Sequence, residues 1–200
     1  MAQAQSSIAV GPKLGVSITD LRGEDAYVGT SSRGGFCGGL ILHLPMSQIF
    51  SVQSELLFSQ KGTNNQSIGY GNVPFATGRL RLSYVEVPLL AKLRISPGPF
   101  VEFGPTVSYL LSASGEFSSS NSAVDIRPNF KDFDLGYAAG IGFQDAKGRL
   151  LGLRYSRGLT DVFKVGNYPA TNREVRIHNQ AFQLYIGQIL QSRRRADSYK

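Results

Sequence analysis

Tryptophan is missing from this 200-residue chain, cysteine occurs once, and histidine and methionine occur twice each. The lone Cys37 can form no intramolecular disulfide and no thiolate zinc cluster. His43 and His178 lack acidic neighbours at ligand spacing, so no metal and no cofactor is expected. Charged side chains are sparse at 18%, yet no apolar run approaches the roughly 18 residues of a spanning helix. A membrane location would therefore require strands. The net charge of +7 is dispersed, its densest cluster being Arg193, Arg194 and Arg195, and no nucleic-acid signature accompanies it. No nucleic-acid partner is expected.

What the chain does have is glycine, phenylalanine and tyrosine, set in segments of strict alternation. Residues 83–95 are the clearest. Val85, Val87, Leu89, Ala91 and Leu93 share one parity, and Glu86, Lys92 and Arg94 share the other. A strand with this period has one greasy face and one charged face. In a soluble sandwich the grease points to the core; in a membrane barrel it points to lipid and the charge points to the lumen.

Alternation predicts eight strands, at 8–18, 34–44, 49–61, 79–95, 100–111, 132–143, 149–158 and 179–190. The connections alternate between long and tight. Pro45-Met46-Ser47-Gln48, Ser96-Pro97-Gly98-Pro99 and Asp145-Ala146-Lys147-Gly148 are turns, whereas 19–33, 62–78, 112–131 and 159–178 read as long polar loops. The expectation is all-β: an eight-stranded antiparallel up-and-down transmembrane β-barrel with short periplasmic turns and four long extracellular loops. Both termini would then be periplasmic and the location the cell outer membrane. Residues 1–7, without a basic n-region or an apolar h-region, are read as a remnant or linker. Residues 8–190 form the barrel, and 191–200 a basic polar tail. A soluble lipocalin-like ligand-binding barrel is the alternative fold.

The stretch G-F-C-G-G-L-I-L-H-L-P-M-S-Q-I-F-S-V-Q-S-E-L-L-F-S-Q-K-G, residues 35–62, resembles the PorT-like outer membrane protein β-barrel family of Bacteroidetes-type bacteria. Tyr84-Val85-Glu86-Val87-Pro88-Leu89-Leu90 is similar to that family's Y-x-E-I-P-L-L strand. Gly136 to Gly142, and Leu153-Arg154-Tyr155 through Gly158-Leu159-Thr160, resemble its closing pieces. The resemblance spans 8–190. It implies an outer-membrane barrel in a family whose members mostly lack an assigned activity, one namesake working in a type IX secretion system. Other outer-membrane or secretion-complex proteins are thus candidate partners.

The parity places Lys13, Glu55, Glu86, Lys92, Arg94, Glu102, Asp134 and Arg154 toward the lumen. Eight strands leave room only for side chains, so these charges must neutralise one another. The expectation is a plug in which Glu55, Glu86 and Glu102 face Lys92 and Arg154; a narrow ion or small-solute channel is the alternative. Arg79, Arg81 and Arg157 carry the lipid-facing parity near predicted strand ends, where lipopolysaccharide phosphates would meet their planar guanidinium forks. Ser156, Asp161 and His178 fall near one end of the barrel, but a hydrolytic triad there rests only on common loop residues, and no enzyme is expected. The role read from all this is structural or partner-binding, through the loops. A closed barrel should run faster unboiled than boiled on an SDS gel and fractionate with outer membranes. A detergent-free soluble protein with no shift would return the lipocalin-like reading.

Overall fold

The computed structural model describes residues 8–23, 31–70, 73–95, 97–117, 123–164 and 176–190. Among the described residues there are nine strands: β1 (Ala9–Arg22), β2 (Ser31–Pro45), β3 (Phe50–Tyr70), β4 (Val73–Arg94), β5 (Gly98–Phe117), β6 (Ala123–Asp125), β7 (Phe133–Gln144), β8 (Arg149–Gly158) and β9 (His178–Gln188). All pairings are antiparallel, and β4 bonds to β5 while β1 bonds to β9. The sheet therefore closes on itself. Eight strands make the wall, and the short β6 adds only to the far end of β5, at Ser114–Glu116.

The alternation in sequence becomes an inside and an outside. Leu14, Ile141 and Ile186 are 64%, 59% and 59% exposed, whereas Lys13, Glu86 and Arg154 are 1%, 0% and 2% exposed. This polarity overturns the soluble lipocalin-like alternative, which needs its greasy face inside. The outer wall carries Val10, Leu14, Val16 and Ile18 on β1, Val87, Leu89, Ala91 and Leu93 on β4 and Phe182, Leu184 and Ile186 on β9. Ten residues of a tilted strand span roughly the 25 Å apolar band of such barrels. Among the described residues no charged side chain faces outward within this belt. Near one edge of it Tyr109–Phe133, Tyr137–Tyr155 and Tyr155–Phe182 ring pairs (5.1, 6.4 and 4.9 Å) trace an aromatic arc across β5, β7, β8 and β9.

Three tight turns lie at one end, joining β2 to β3, β4 to β5 and β7 to β8. The first described residues of β1 and the last of β9 are at this same end, where Val10 bridges Leu190. In the β7–β8 turn Asp145 Oδ1 accepts the Lys147 and Arg149 amides at 2.9 Å each, and Gly148 takes a φ of 82° that only glycine adopts freely.

The opposite, loop end departs from the sequence reading in detail. The segment 62–78 is not a loop: β3 continues to Tyr70 and β4 starts at Val73, so the two strands project together as a hairpin. Beyond the belt the outer face of a strand meets water instead of lipid, so no outward apolar residue is required and polar sequence hides a strand. The same cause extends β1 to Arg22 and β5 to Phe117, and it conceals β6 and a 3₁₀ turn at Arg127–Asn129 inside the segment 112–131. The reading of 1–7 as a remnant and of 191–200 as a basic tail lies outside the described residues.

Asp145 is held below its ordinary value by the Arg149 backbone N–H and side-chain bonds. A depressed carboxylate stabilises the fold above its unfolded value, and that contribution disappears as pH falls through the folded one. Asp145→Ala should therefore lower the urea midpoint in detergent at pH 7. The gap from wild type should begin to narrow near about pH 4 and close as pH falls further, through the lowered folded value.

Candidate functional site

The interior is built in layers. At the turn end Ala9, Ile41, Phe100, Leu150, Tyr185 and Ile189 pack into an apolar cluster. Above it sits Arg154, from the middle of β8, whose guanidinium is held by two carboxylates. Its Nη1 and Nη2 reach Glu55 Oε2 and Oε1 of β3 at 2.6 and 2.8 Å, and its Nε donates to Glu102 Oε1 of β5 at 2.8 Å. Lys13 Nζ donates to Glu55 Oε2 at 2.9 Å and Gln53 Nε2 to Glu55 Oε1 at 2.7 Å. Tyr185 completes the cage. Its hydroxyl donates to Glu102 Oε1 at 3.0 Å, and its ring lies 3.7 Å from Lys13 Nζ.

Glycine makes these approaches possible. Gly140 of β7 stands between Glu102 and Arg154 in the ladder, and a Cβ there would come within 2.8 Å of Glu102 Oε1. A Cβ at Gly152 would strike the Tyr185 ring at 2.5 Å. The small residues at these positions are spacers through which charges on non-adjacent strands meet.

Lys92 donates to Gln53 Oε1 at 3.3 Å and rests over the Phe100 ring. Glu86 is bound by Lys61, Nζ to Oε2 2.6 Å, rather than by Lys92 or Arg154 as the parity argument had it. Lys61 stands at the end of the strand that alternation predicts, 49–61, and shares parity with Gln53, Glu55 and Ser59. Its strand runs nine residues further, to Tyr70. Around Glu86 the network is thinnest: Glu86 Oε1, the Gln183 amide and the Ser17 and Ser59 hydroxyls are buried without a side-chain or backbone partner among the described residues.

Asp134 lies higher still. It accepts Asn179 Nδ2 at 2.8 Å and Thr160 Oγ1 at 2.7 Å, tying the β8–β9 connection to the wall. Among the described residues the four buried cations Lys13, Lys61, Lys92 and Arg154 are accompanied by five buried carboxylates, Asp20, Glu55, Glu86, Glu102 and Asp134. Arg94 is half-buried at the turn end, and His43 is buried near it.

The loop end is closed by a second apolar cluster: Leu21, Leu80, Leu82, Tyr84, Leu110, Ala113, Ile126, Phe130, Val162, Phe163 and Ile177. Two connections zip together to supply it. The Lys131 and Lys164 amides donate to the Val162 and Asn129 carbonyls at 2.9 Å each, and the Phe130 and Phe163 rings stack at 4.7 Å. Sequence periodicity does not announce this cap as a unit, since its residues come from three strands, β1, β4 and β5, and from the β6–β7 and β8–β9 connections.

The other sequence candidates are scattered. Arg79 and Arg81 lie on the outer face of β4, while Arg157 is on β8, three strands away round the closed wall through β5 and β7. His178 Nε2 is 3.9 Å from Asp161 Oδ1, but Ser156 is buried in the lumen beside Ala181, with no hydrogen bond to the histidine. Two depressions of about 1190 and 910 Å³ are walled by exposed side chains such as Val16, Phe36, Phe143 and Phe182 and are furrows in the belt. Among the described residues no group of three metal-ligating side chains is found.

Truncating Arg154 would leave Glu55 and Glu102 buried beside one lysine. Arg154→Leu should cost about 3–5 kcal/mol in urea unfolding from lipid or detergent. Arg157→Leu, on the exposed rim, should stay within about 0.5 kcal/mol.

No curated protein sequence matches the chain. Solved structures do match in fold. Ail of Yersinia pestis, solved with the heparin analogue sucrose octasulfate, shares 11% identity over 92% of this chain and 99% of its own, at a TM-score of 0.51. Neisserial surface protein A shares 10% over 92% and 97% at 0.54, and AlkL in lipid bilayers 11% over 98% and 97% at 0.50. At such identities the likeness is one of architecture. The sequence itself matches the model of the "Outer membrane protein beta-barrel domain" over residues 1–164. With a closed barrel, a charge-free outer belt and a charged interior beside that match, the chain belongs to the outer membrane protein β-barrel domain family and is a protein of the outer membrane.

Proposed function

We propose that this protein is a non-conducting, non-enzymatic outer-membrane barrel that acts through its loop end, as a structural element or as an accessory subunit of a larger membrane assembly. The observation that carries the reading is the sequence of layers in the lumen: apolar cluster, neutralised ion-pair network, apolar cap. A conducting path needs hydrated space between its charges. Here the Arg154 guanidinium and the Glu55 and Glu102 carboxylates are bound to one another, and such a buried hydrogen-bonded cluster is stiff. The cap supports a partner-facing role for the loops, because two connections that hold one another leave a defined surface, with Val124 and Leu159 exposed on it.

The tight-turn end is taken as periplasmic, with both termini there, because barrels of this kind keep short turns inside and long loops outside. The motifs at Tyr84–Leu90 and Leu153–Thr160 support placement in the PorT-like branch, and hence a secretion-complex setting. The separation of Ser156 from His178 and Asp161 favours the non-enzymatic reading over a rim hydrolase.

Purified protein in planar bilayers should give no unitary conductance steps. Glu86→Ala should lower the unfolding midpoint, by stranding Lys61, and still give none. Stable ion-selective steps from wild type, altered in size by Glu86→Ala, would replace the plug with a pore.

A further inference from the structure

The loop-end rim of β2, β3 and β4 carries a feature the lumen network does not use. Just beyond the apolar belt, Ser31, Arg33, Gly34, Asn64, Arg79 and Arg81 line an open cleft of about 390 Å³. The β2–β3 ladder shifts register between Ser32 and Cys37, and such an irregularity re-aims side chains. At Gly34 an added Cβ would meet nothing within 4 Å, so the floor is free.

The cleft is organised. Arg33 Nη1 donates to the Leu80 carbonyl at 3.3 Å, and Asn64 Nδ2 donates to the Ser32 carbonyl at 3.1 Å. Arg81 is loosely engaged, its Nη2 standing 3.7 Å from Glu116 Oε1 with both side chains nearly half exposed. The described charges that act on Arg33 are Arg81, Arg79 and a single carboxylate, Glu116. Partial burial and then the nearby Arg81 hold the Arg33 guanidinium below its ordinary value, against the pull of Glu116. Three guanidiniums converging on one carboxylate repel one another until a further anion joins them. A phosphoryl group suits the planar fork in both charge and shape.

Height selects the source. On β4 the outward positions pass from Arg79 and Arg81 to Val85, Val87 and Leu89, so the cleft sits where apolar wall gives way to polar headgroups. We propose that this cleft binds a phosphoryl group of a phosphorylated glycolipid of the outer leaflet, with Arg33, Arg79 and Arg81 as its ligands. Arg157, across the barrel, is not part of the site. The proposal rests on the reading that the loop end faces outward.

The test uses the full chain in detergent, with folding checked by heat modifiability, and native mass spectrometry of retained lipid. The probes are diphosphorylated lipid A, the same lipid dephosphorylated, and inorganic phosphate. Wild type should retain the phosphorylated lipid, and the combined Arg33→Gln, Arg79→Gln, Arg81→Gln variant should bind it at least roughly tenfold more weakly. Arg157→Gln should bind as wild type. Equal retention by the triple variant, or of the dephosphorylated lipid, overturns the site. Displacement of the lipid by millimolar inorganic phosphate makes it a free-anion site and overturns the lipid assignment. Orientation is read separately, by labelling Lys164→Cys on whole cells with an impermeant maleimide, the buried Cys37 serving as background. Labelling without lipid binding sinks the cleft and leaves the outward loop end standing. Binding without labelling sinks the orientation, and with it the outer-leaflet source.

Discussion

The double clamp on Arg154 is the interaction on which the rest of this barrel turns. A wall of eight strands encloses a column about one layer of side chains wide, and outside it lies hydrocarbon, which accepts no charge. Any polar group the lumen holds must find its partner across that column. Arg154 joins β8 to β3 and β5 at once, through Glu55 and Glu102, and Lys13 joins β1 to the same Glu55. Four of the eight wall strands are thereby tied at one height by groups that cannot move apart without stranding a buried ion. Breaking such a pair from one side is far more costly than the pair is worth against an apolar substitute. The network consequently fixes register more than it raises stability.

The spacing of glycine is part of the same device. A guanidinium that spans from β8 to β5 must pass over β7, and Gly140 lies in the ladder between Glu102 and Arg154. Tyr185 lies over Gly152 in the same way and turns its ring to Lys13. Large polar side chains opposite glycines fill the lumen as completely as leucine opposite alanine fills a soluble core. The apolar clusters at either end then keep water from the ions, which strengthens every pair between them.

Much of this was legible in sequence, and the reason is the bilayer. Within the belt every residue faces either lipid or lumen, so the period of two at Val85 to Leu93 assigns Glu86 and Lys92 without any knowledge of partners. Outside the belt that constraint ends. The Asn- and Gly-rich segment 62–78 has the composition of a loop yet forms a strand pair, because hydrogen bonding along β3 and β4 continues where side-chain polarity no longer reports on it. Lys61, at that boundary, was lost for this reason, and Glu86 was given the wrong partner in consequence. Pairings themselves were out of reach. Glu55 and Arg154 are 99 residues apart, and only the stagger of eight strands brings them level.

The contrast between interior and rim separates what this barrel can vary from what it cannot. In the lumen Arg154, Lys13 and Lys61 each have a carboxylate at hydrogen-bond distance, Lys92 and Asp134 are held by neutral polar groups, and a change at one position is felt by strands on the far wall. At the loop end of β2 to β4 the balance is reversed. Arg33, Arg79 and Arg81 outnumber Glu116 and stand partly in solvent, and Arg33 and Arg81 are held by longer contacts of 3.3 and 3.7 Å. Self-neutralised charge supports a fold; unneutralised charge, presented in a cleft at headgroup height, has its complement outside the chain. Both arrangements are built on the same strand, since β4 carries Glu86 inward within the belt and Arg81 outward beyond it. The apolar band decides which of the two a given charge becomes.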